Sequence, residues 1–144
     1  IMDLAGMKKP DYMQGHSFLG ALKGEKPPGN WRKATYYRYW MHMAHRLGTP
    51  AHFGIRSERY KLIFFYGADY IDRGKKGQPR TPAAWEFYDL EKDPTEMNNA
   101  YADPKYSNII RGMKIELKRQ RETLKETDAD YPKLEKIIAE HWDD

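Results

Sequence analysis

The sequence contains no cysteine. That excludes disulfides, thiolate metal sites and cysteine nucleophiles, while leaving the redox compartment open. No apolar run approaches the roughly 18 residues that span a bilayer; the longest, Leu62 to Tyr66, has the length of a strand. The first residues do not read as a signal peptide, and the chain opens on Ile1 rather than Met, so it reads as a fragment cut from a longer protein. Glycine-rich phosphate loops, His-Glu-x-x-His and calcium-binding helix-loop-helix patterns are all absent. What is present argues against disorder. Aromatic residues make up 14% and hydrophobic residues 40% of 144 positions, despite a mean hydropathy of −0.95. That is enough for one ordinary domain with a core.

Charge is unevenly spread. Residues 1–82 carry 15 Lys/Arg against six Asp/Glu, and residues 83–144 carry 10 against 15. The basic part suits an anionic ligand such as a sulfate, a phosphate or a polyanion. Solvated surface and attraction between the two parts explain it equally well.

Residues 3–7 read as a helix tail closed by Lys8-Lys9-Pro10. Residues 15–24 suit a short helical turn with Phe18, Leu19 and Leu22 inward, and residues 26–30 a rigid turn. Ala34 to Met41 alternates, with Tyr37 and Tyr39 on one face and Tyr36, Arg38 and Trp40 on the other. Ala51 to Ser57 and Tyr60 to Tyr66 read as a hairpin turning at Ser57-Glu58-Arg59. Residues 67–84, with a Lys75-Lys76 pair, read as a loop, and Trp85 to Leu90 as a fourth strand. Asp93-Pro94-Thr95-Glu96 reads as a turn with helix-start character. Asp103-Pro104 supplies an N-cap and an N1 proline. Ile109, Ile110, Met113, Leu117 and Leu124 then predict a helix over 105–126, with Leu117 and Leu124 buried. Leu134, Ile137, Ile138 and Trp142 mark a last helix. Strands first and helices last predict an α+β fold: a four-stranded antiparallel sheet with a long C-terminal helix packed on one face.

Histidine is scarce. His42 and His45 lack an acidic or cysteine partner at ligand spacing, which weakens a metal pair. They suit an anion or a sugar hydroxyl, or plain structural roles. Arg38, Arg46, Arg56 and Arg59 lie near strand ends; their forks suit sulfate, carboxylate or phosphate, and salt bridges to the acidic helices equally. Tyr36, Trp40, Phe53 and Trp85 read first as core, and otherwise as stacking platforms.

Three stretches, taken in order, resemble the C-terminal part of a sulfatase of the arylsulfatase/alkaline-phosphatase-like superfamily. Gly15-His16-Ser17-Phe18-Leu19 through Leu22-Lys23-Gly24 resembles that family's Gly-x-Ser-Leu-x-x-Leu-x-Gly. Arg56-Ser57-Glu58-Arg59-Tyr60-Lys61-Leu62-Ile63 is similar to its Arg-Thr-x-Arg-Tyr-Lys-Leu-Ile strand pair. Glu86 through Glu96 is similar to Glu-Leu-Tyr-Asp-Leu-x-x-Asp-Pro-x-Glu, followed by Asn98 or Asn99. The run through Tyr39-Trp40 and Ala44 to Gly54 looks most like bacterial sulfatases related to iduronate and glycosaminoglycan sulfatases. Ser57 departs from the commoner threonine, and Gly20-Ala21 from a more apolar pair.

The resemblance implies a division at residues 1–30, a linker with short helical segments joining an absent catalytic domain, and 31–144, the α+β subdomain. It implies hydrolysis of a sulfate ester or sulfamate by the parent, using calcium and a formylglycine made from Cys or Ser in a Cys/Ser-x-Pro-x-Arg motif. None of Ser17, Ser57 or Ser107 has a proline two residues on. No catalytic residue, metal or cofactor is therefore expected in this fragment, which alone should be inactive. The expected role is fold stability and the rim of the substrate pocket. His42, His45, Arg46 and His52, flanking Leu47-Gly48-Thr49-Pro50, are the substrate-binding candidates for an acidic, sulfated sugar. The plainer alternative pairs Arg46 with a helix carboxylate and has the histidines cap strands. Partners implied are the missing N-terminal domain and the sugar, with no specific nucleic acid and no membrane span. An exposed seam of Ile1, Met2, Leu4, Met7 and Phe18 offers a route to a homodimer. The implied location is periplasmic or secreted. The competing readings are a non-catalytic structural or interaction domain and a polyanion-binding module.

Overall fold

The computed structural model describes residues 1–29, 31–71 and 77–144. Asn30, at the end of the expected 26–30 turn, and the Lys75-Lys76 pair of the expected 67–84 loop lie outside the described residues. The chain divides into two units, residues 1–33 and 34–144.

In the first unit, the Met7 N–H donates to the Met2 carbonyl at 2.9 Å and the Gly6 N–H to the Asp3 carbonyl at 3.1 Å, with Gly6 at φ +67°. These two bonds form the Schellman pattern that ends helices. The helix-tail reading of 3–7 is thus right in its hydrogen bonding, although only turns form there. Helix α1, Leu19–Leu22, closes in the same way. Glu25 N–H bonds the Gly20 carbonyl and Gly24 N–H the Ala21 carbonyl, with Gly24 at φ +78°. The expected inward packing of α1 holds only in part: Leu19 is half-buried, whereas Phe18 is 55% exposed and Leu22 is exposed too. A single helical turn offers too little area to bury a face.

The second unit is a meander of β1 (Ala34–Tyr39), β2 (His52–Ser57), β3 (Tyr60–Phe65) and β4 (Ala84–Asp89), followed by α2 (Ser107–Thr123) and α3 (Pro132–His141). The strands pair antiparallel in the order β1-β2-β3-β4. Alternation assigns the faces. Phe53, Ile55, Leu62, Phe64, Trp85 and Phe87 form the core with Ile110 and Leu117 of α2 and Leu134 and Ile137 of α3. Phe53, Phe64 and Trp85 are direct cross-strand partners. Their rings lie 5.4 and 4.7 Å apart, a ladder of the kind that stabilises sheets. Both strands of the β2–β3 hairpin are interior, and β3 carries apolar side chains on its two faces, Leu62 and Phe64 on one and Ile63 and Phe65 on the other. Ser57 explains its own position: its hydroxyl accepts the Tyr60 N–H at 2.9 Å and donates to the Tyr60 carbonyl at 3.1 Å. Threonine carries the same hydroxyl, so the departure at this position is conservative.

Gly54 answers a packing need. A Cβ there would stand 2.6 Å from both the Leu62 carbonyl oxygen and the Tyr37 hydroxyl. The Tyr37 ring therefore lies against the sheet only because residue 54 has no side chain.

Both sheet edges are closed by side-chain amides. On β1, Gln120 of α2 accepts the Tyr36 N–H and donates to the Ala34 carbonyl, each at 3.1 Å. On β4, Asn99 accepts the Phe87 N–H and donates to the Trp85 carbonyl, each at 3.0 Å. Each amide offers one donor and one acceptor, as the next strand would. The Asp-Pro-x-Glu segment that leads to Asn99 organises a turn. Asp93 accepts the Asn98 N–H at 2.8 Å, and Glu96 reaches back to Lys61 on β3 at 2.5 Å. No helix starts there.

The Asp103 side chain caps a 3-10 turn, Pro104–Tyr106, by accepting the Lys105 N–H. Helix α2 ends at Thr123, earlier than the apolar spacing predicted, because Lys125 takes a left-handed conformation at φ +55°. Glu126 N–H bonds the Arg121 carbonyl and Lys125 N–H the Glu122 carbonyl, a third Schellman closure without glycine. Leu117 is fully buried as expected, whereas Leu124, past the helix end, is only half-buried.

The Schellman turn delivers two carboxylates to β1. Arg38 pairs with Asp128 at 2.6 Å and Glu126 at 3.1 Å, and Arg121 also pairs with Asp128. Tyr36 donates to Glu126 at 2.5 Å. Burial, then the Glu126 carboxylate, pushes the Tyr36 phenol up. The Arg38 guanidinium also lies 3.5 Å over the Trp40 ring, a cation–π contact. The arginine that meets carboxylates from the helical part of the chain is thus Arg38, which takes Glu126 and Asp128 of the segment between α2 and α3, and among the described residues no such pair forms at Arg46.

Candidate substrate-rim site

The chain between β1 and β2, residues 40–51, carries most of the candidates. His42 is 2% exposed. Its Nδ1 accepts the Ala51 N–H at 3.2 Å, and its Nε2 lies 2.9 Å from the Pro79 carbonyl. A backbone N–H can only donate, so Nδ1 is the bare acceptor and Nε2 carries the proton given to Pro79. Both ring nitrogens are thereby occupied inside the protein.

His45 and Arg46 lie on an exposed 3-10 turn, Ala44–Arg46. Met43, His45 and Arg46 adopt φ of +53°, +56° and +59°, and Gly48 follows at +64°. A left-handed backbone costs an L-residue about 1–2 kcal/mol, so three such residues in four positions persist only under constraint. The Met43 N–H to Thr49 carbonyl bond, at 2.9 Å, closes the loop at its base. Among the described residues neither His45 nor Arg46 has a charged partner.

His52 opens β2 on the sheet face opposite the helices. Its Nδ1 is 2.8 Å from the Pro50 carbonyl, and its ring packs against those of Tyr39 and Phe65 at 5.5 and 4.9 Å. Burial lowers its pKa, opposed by the Pro50 hydrogen bond and reinforced by Lys61. The four candidates therefore do not converge. His45 and Arg46 stand together in the open, His42 is turned inward, and His52 is lodged among aromatic rings. Nothing in the sequence announced the left-handed loop, since glycine or asparagine is absent from positions 43, 45 and 46.

Among the described residues, no group of three or more His, Asp or Glu side chains is placed to hold a metal ion. The two buried carboxylates are already committed, Asp128 to Arg38 and Arg121, and Asp89 to Arg59 through two bonds of 2.9 Å. These residues do not fit calcium, and the chain has no cysteine to form formylglycine.

A family model for the C-terminal part of N-sulphoglucosamine sulphohydrolase matches residues 1–123. The chain belongs to the sulfatase family, as its C-terminal domain. This sulfatase domain is 35% identical over 131 residues to an N-acetylglucosamine-6-O-sulfatase of Bacteroides thetaiotaomicron, covering 90% of this chain and 21% of that protein. It is 30% identical over 148 residues to an ulvan-active sulfatase of Formosa agariphila, covering 88% of this chain and 28% of the relative. A solved structure of BT4656 in complex with its substrate D-glucosamine-2-N,6-O-disulfate superposes with a TM-score of 0.75 at 32% identity, over 90% of this chain and 24% of that one. The chain thus spans between a fifth and a third of the length of these relatives. The bacterial sulfated-carbohydrate sulfatases are the branch that the Tyr39-to-Gly54 stretch pointed to. No helix among the described residues is long and apolar enough to cross a membrane.

Proposed function

We propose that the parent of this chain hydrolyses a sulfate ester or sulfamate on a sugar, and that the present domain stabilises the fold and forms part of the substrate-pocket rim. The observation that carries the rim reading is the constrained left-handed loop presenting His45 and Arg46 without a charged partner among the described residues. Backbone strain held in place at an exposed cationic turn is typical of ligand contacts, and a guanidinium fork matches sulfate or carboxylate. An N-acetylglucosamine-6-O-sulfatase, an ulvan-active sulfatase and a structure holding D-glucosamine-2-N,6-O-disulfate among the relatives support the substrate class. Calcium and formylglycine, which the family implies for the catalytic domain, would supply the nucleophile and charge stabilisation at sulfur. A periplasmic or secreted location goes with this reading. Contacts made beyond the sulfate would let binding energy orient the reacting group.

The apolar residues Ile1, Leu4, Met7 and Phe18 of the first unit are exposed. We propose that they meet the rest of the parent, and that the isolated chain self-associates through them. The domain division at residue 30 belongs to the same reading.

The test of the rim is alanine substitution of His45 and of Arg46 in the full-length enzyme, with kinetics on a 6-O-sulfated glucosamine and on a small aryl sulfate. Loss of kcat/KM on the sugar alone is expected. Equal loss on both substrates, or no loss on either, removes these residues from the rim.

A further inference from the structure

Three features of the second unit remain unused by the proposed function: the buried ionic cluster around Asp128, the cleft between α2 and α3, and the engaged imidazole of His42. The first is answered by the fold, since it pins the segment after α2 to β1. The cleft, lined by Lys118, Glu122 and Glu135 over Ile138 and Trp142, mixes charges of both signs and selects no ligand. His42 is different. Its ring ties the two ends of the β1–β2 connection, His42 and Ala51, to each other and to Pro79 in the connection between β3 and β4.

We infer that His42 is a positioning residue, one that sets where His45 and Arg46 stand without touching a ligand itself. The inference rests on the rim reading of those two residues and names what holds the rim in place. The geometry is direct. His42 immediately precedes Met43, the first left-handed residue of the loop. The loop is fastened at one end by the Met43 N–H to Thr49 carbonyl bond. At the other, Ala51 is held by the Nδ1 of His42, and the Ala51 carbonyl accepts both the Tyr66 and Gly67 N–H groups at 3.1 Å. Gly67 in turn accepts the Thr81 N–H at 3.0 Å, two residues beyond Pro79. The imidazole thus closes a ring of bonds through Ala51, Gly67, Thr81 and Pro79. A left-handed backbone at Met43, His45 and Arg46 relaxes unless its surroundings over-determine it. With the imidazole gone, Ala51 keeps its carbonyl bonds to Tyr66 and Gly67, but of these ties only the Met43–Thr49 bond still joins the two ends of the loop, and the cationic pair loses its fixed place. Such misplacement of a binding group costs affinity for the part of the substrate it reads.

The substitution is His42→Leu, which removes both hydrogen bonds and keeps the apolar bulk. It is made in the full-length enzyme, alone and combined with Arg46→Ala. The expected result is a rise in KM of about tenfold or more for 6-O-sulfated glucosamine. Turnover of a small aryl sulfate should stay within about twofold. His42→Asn, whose Oδ1 can still accept the Ala51 N–H, should recover part of the loss. In the Arg46→Ala background His42→Leu should add little, since it acts through that residue. Full additivity in the double variant, or equal loss on both substrates, overturns the inference in favour of a general folding role. Hydrogen exchange by mass spectrometry over peptides spanning residues 43–49 separates this failure from that of the rim reading. If Arg46→Ala has no effect on the sugar, or neither substrate is turned over, the rim reading falls. Faster exchange in His42→Leu than in wild type still supports the positioning role in that event, and unchanged exchange overturns it.

Discussion

Removing the Asp128 carboxylate should be among the most destabilising single changes in the domain. Its side chain is 1% exposed and serves two guanidinium groups, those of Arg38 and Arg121, themselves 3% and 11% exposed. Breaking one buried pair from one side costs about 3–5 kcal/mol, because the surviving charge stays buried without its counterion. Asp128→Ala strands two arginines at once. Arg38 retains Glu126, which is 30% exposed, so we expect the cost at the upper end, about 4–5 kcal/mol. That is a large share of the ~5–15 kcal/mol by which domains are stable. Arg38→Met leaves Asp128 its second arginine and should cost less, about 2–3 kcal/mol. The decisive comparison is the triple variant Arg38→Met, Arg121→Met, Asp128→Leu. All three buried charges leave together, and the one carboxylate that loses an arginine, Glu126, is 30% exposed and keeps the Tyr36 hydroxyl, so its stability should lie within about 2 kcal/mol of wild type. Urea unfolding with linear extrapolation measures all of these. A triple variant as unstable as the sum of its single changes would refute the reasoning, since the loss would then lie in packing or hydrogen bonding and not in stranded charge.

On α2, Leu117→Ala should cost about 2–5 kcal/mol, whereas Ile115→Ala, at a position 66% exposed on the same helix, should change stability by about 0.5 kcal/mol or less; equal costs measured by thermal unfolding would put the wrong face of the helix on the sheet. The bonds from Arg59, against the effect of burial and aided by Tyr106, hold the Asp89 carboxyl at about 2, below its ordinary 3.8. A lowered folded-state value means stabilisation that is complete above the unfolded value and lost as pH falls through about 2. Asp89→Asn should therefore be less stable than wild type at pH 6, with the gap closing toward pH 2, and a gap that stays constant across that range would show that ionisation is not what Asp89 contributes.

The division between sequence and tertiary structure runs along the range of the interactions involved. Side-chain alternation over four strands, the Asp103-Pro104 start and the apolar spacing of Ile110 and Leu117 were legible, because each depends on neighbours within a turn or a strand. The family motifs were legible for the same reason, and the structure now explains two of them. Ser57 closes a hairpin through its hydroxyl, and the asparagine after Asp-Pro-x-Glu stands in for a missing strand. What the sequence hid depends on partners far away along the chain. Lys125 ends α2 early without glycine, and the turn it makes brings Glu126 and Asp128 some 90 residues back to Arg38. His42, His45, Arg46 and His52 look alike as hydrogen-bonding groups within a dozen positions. Only the folded chain sends His42 inward to Ala51 and Pro79, lodges His52 among aromatic rings and leaves His45 and Arg46 in the open. Spacing cannot report this sorting, because a side chain's chemistry is set by what the rest of the fold brings within about 3 Å of its polar atoms.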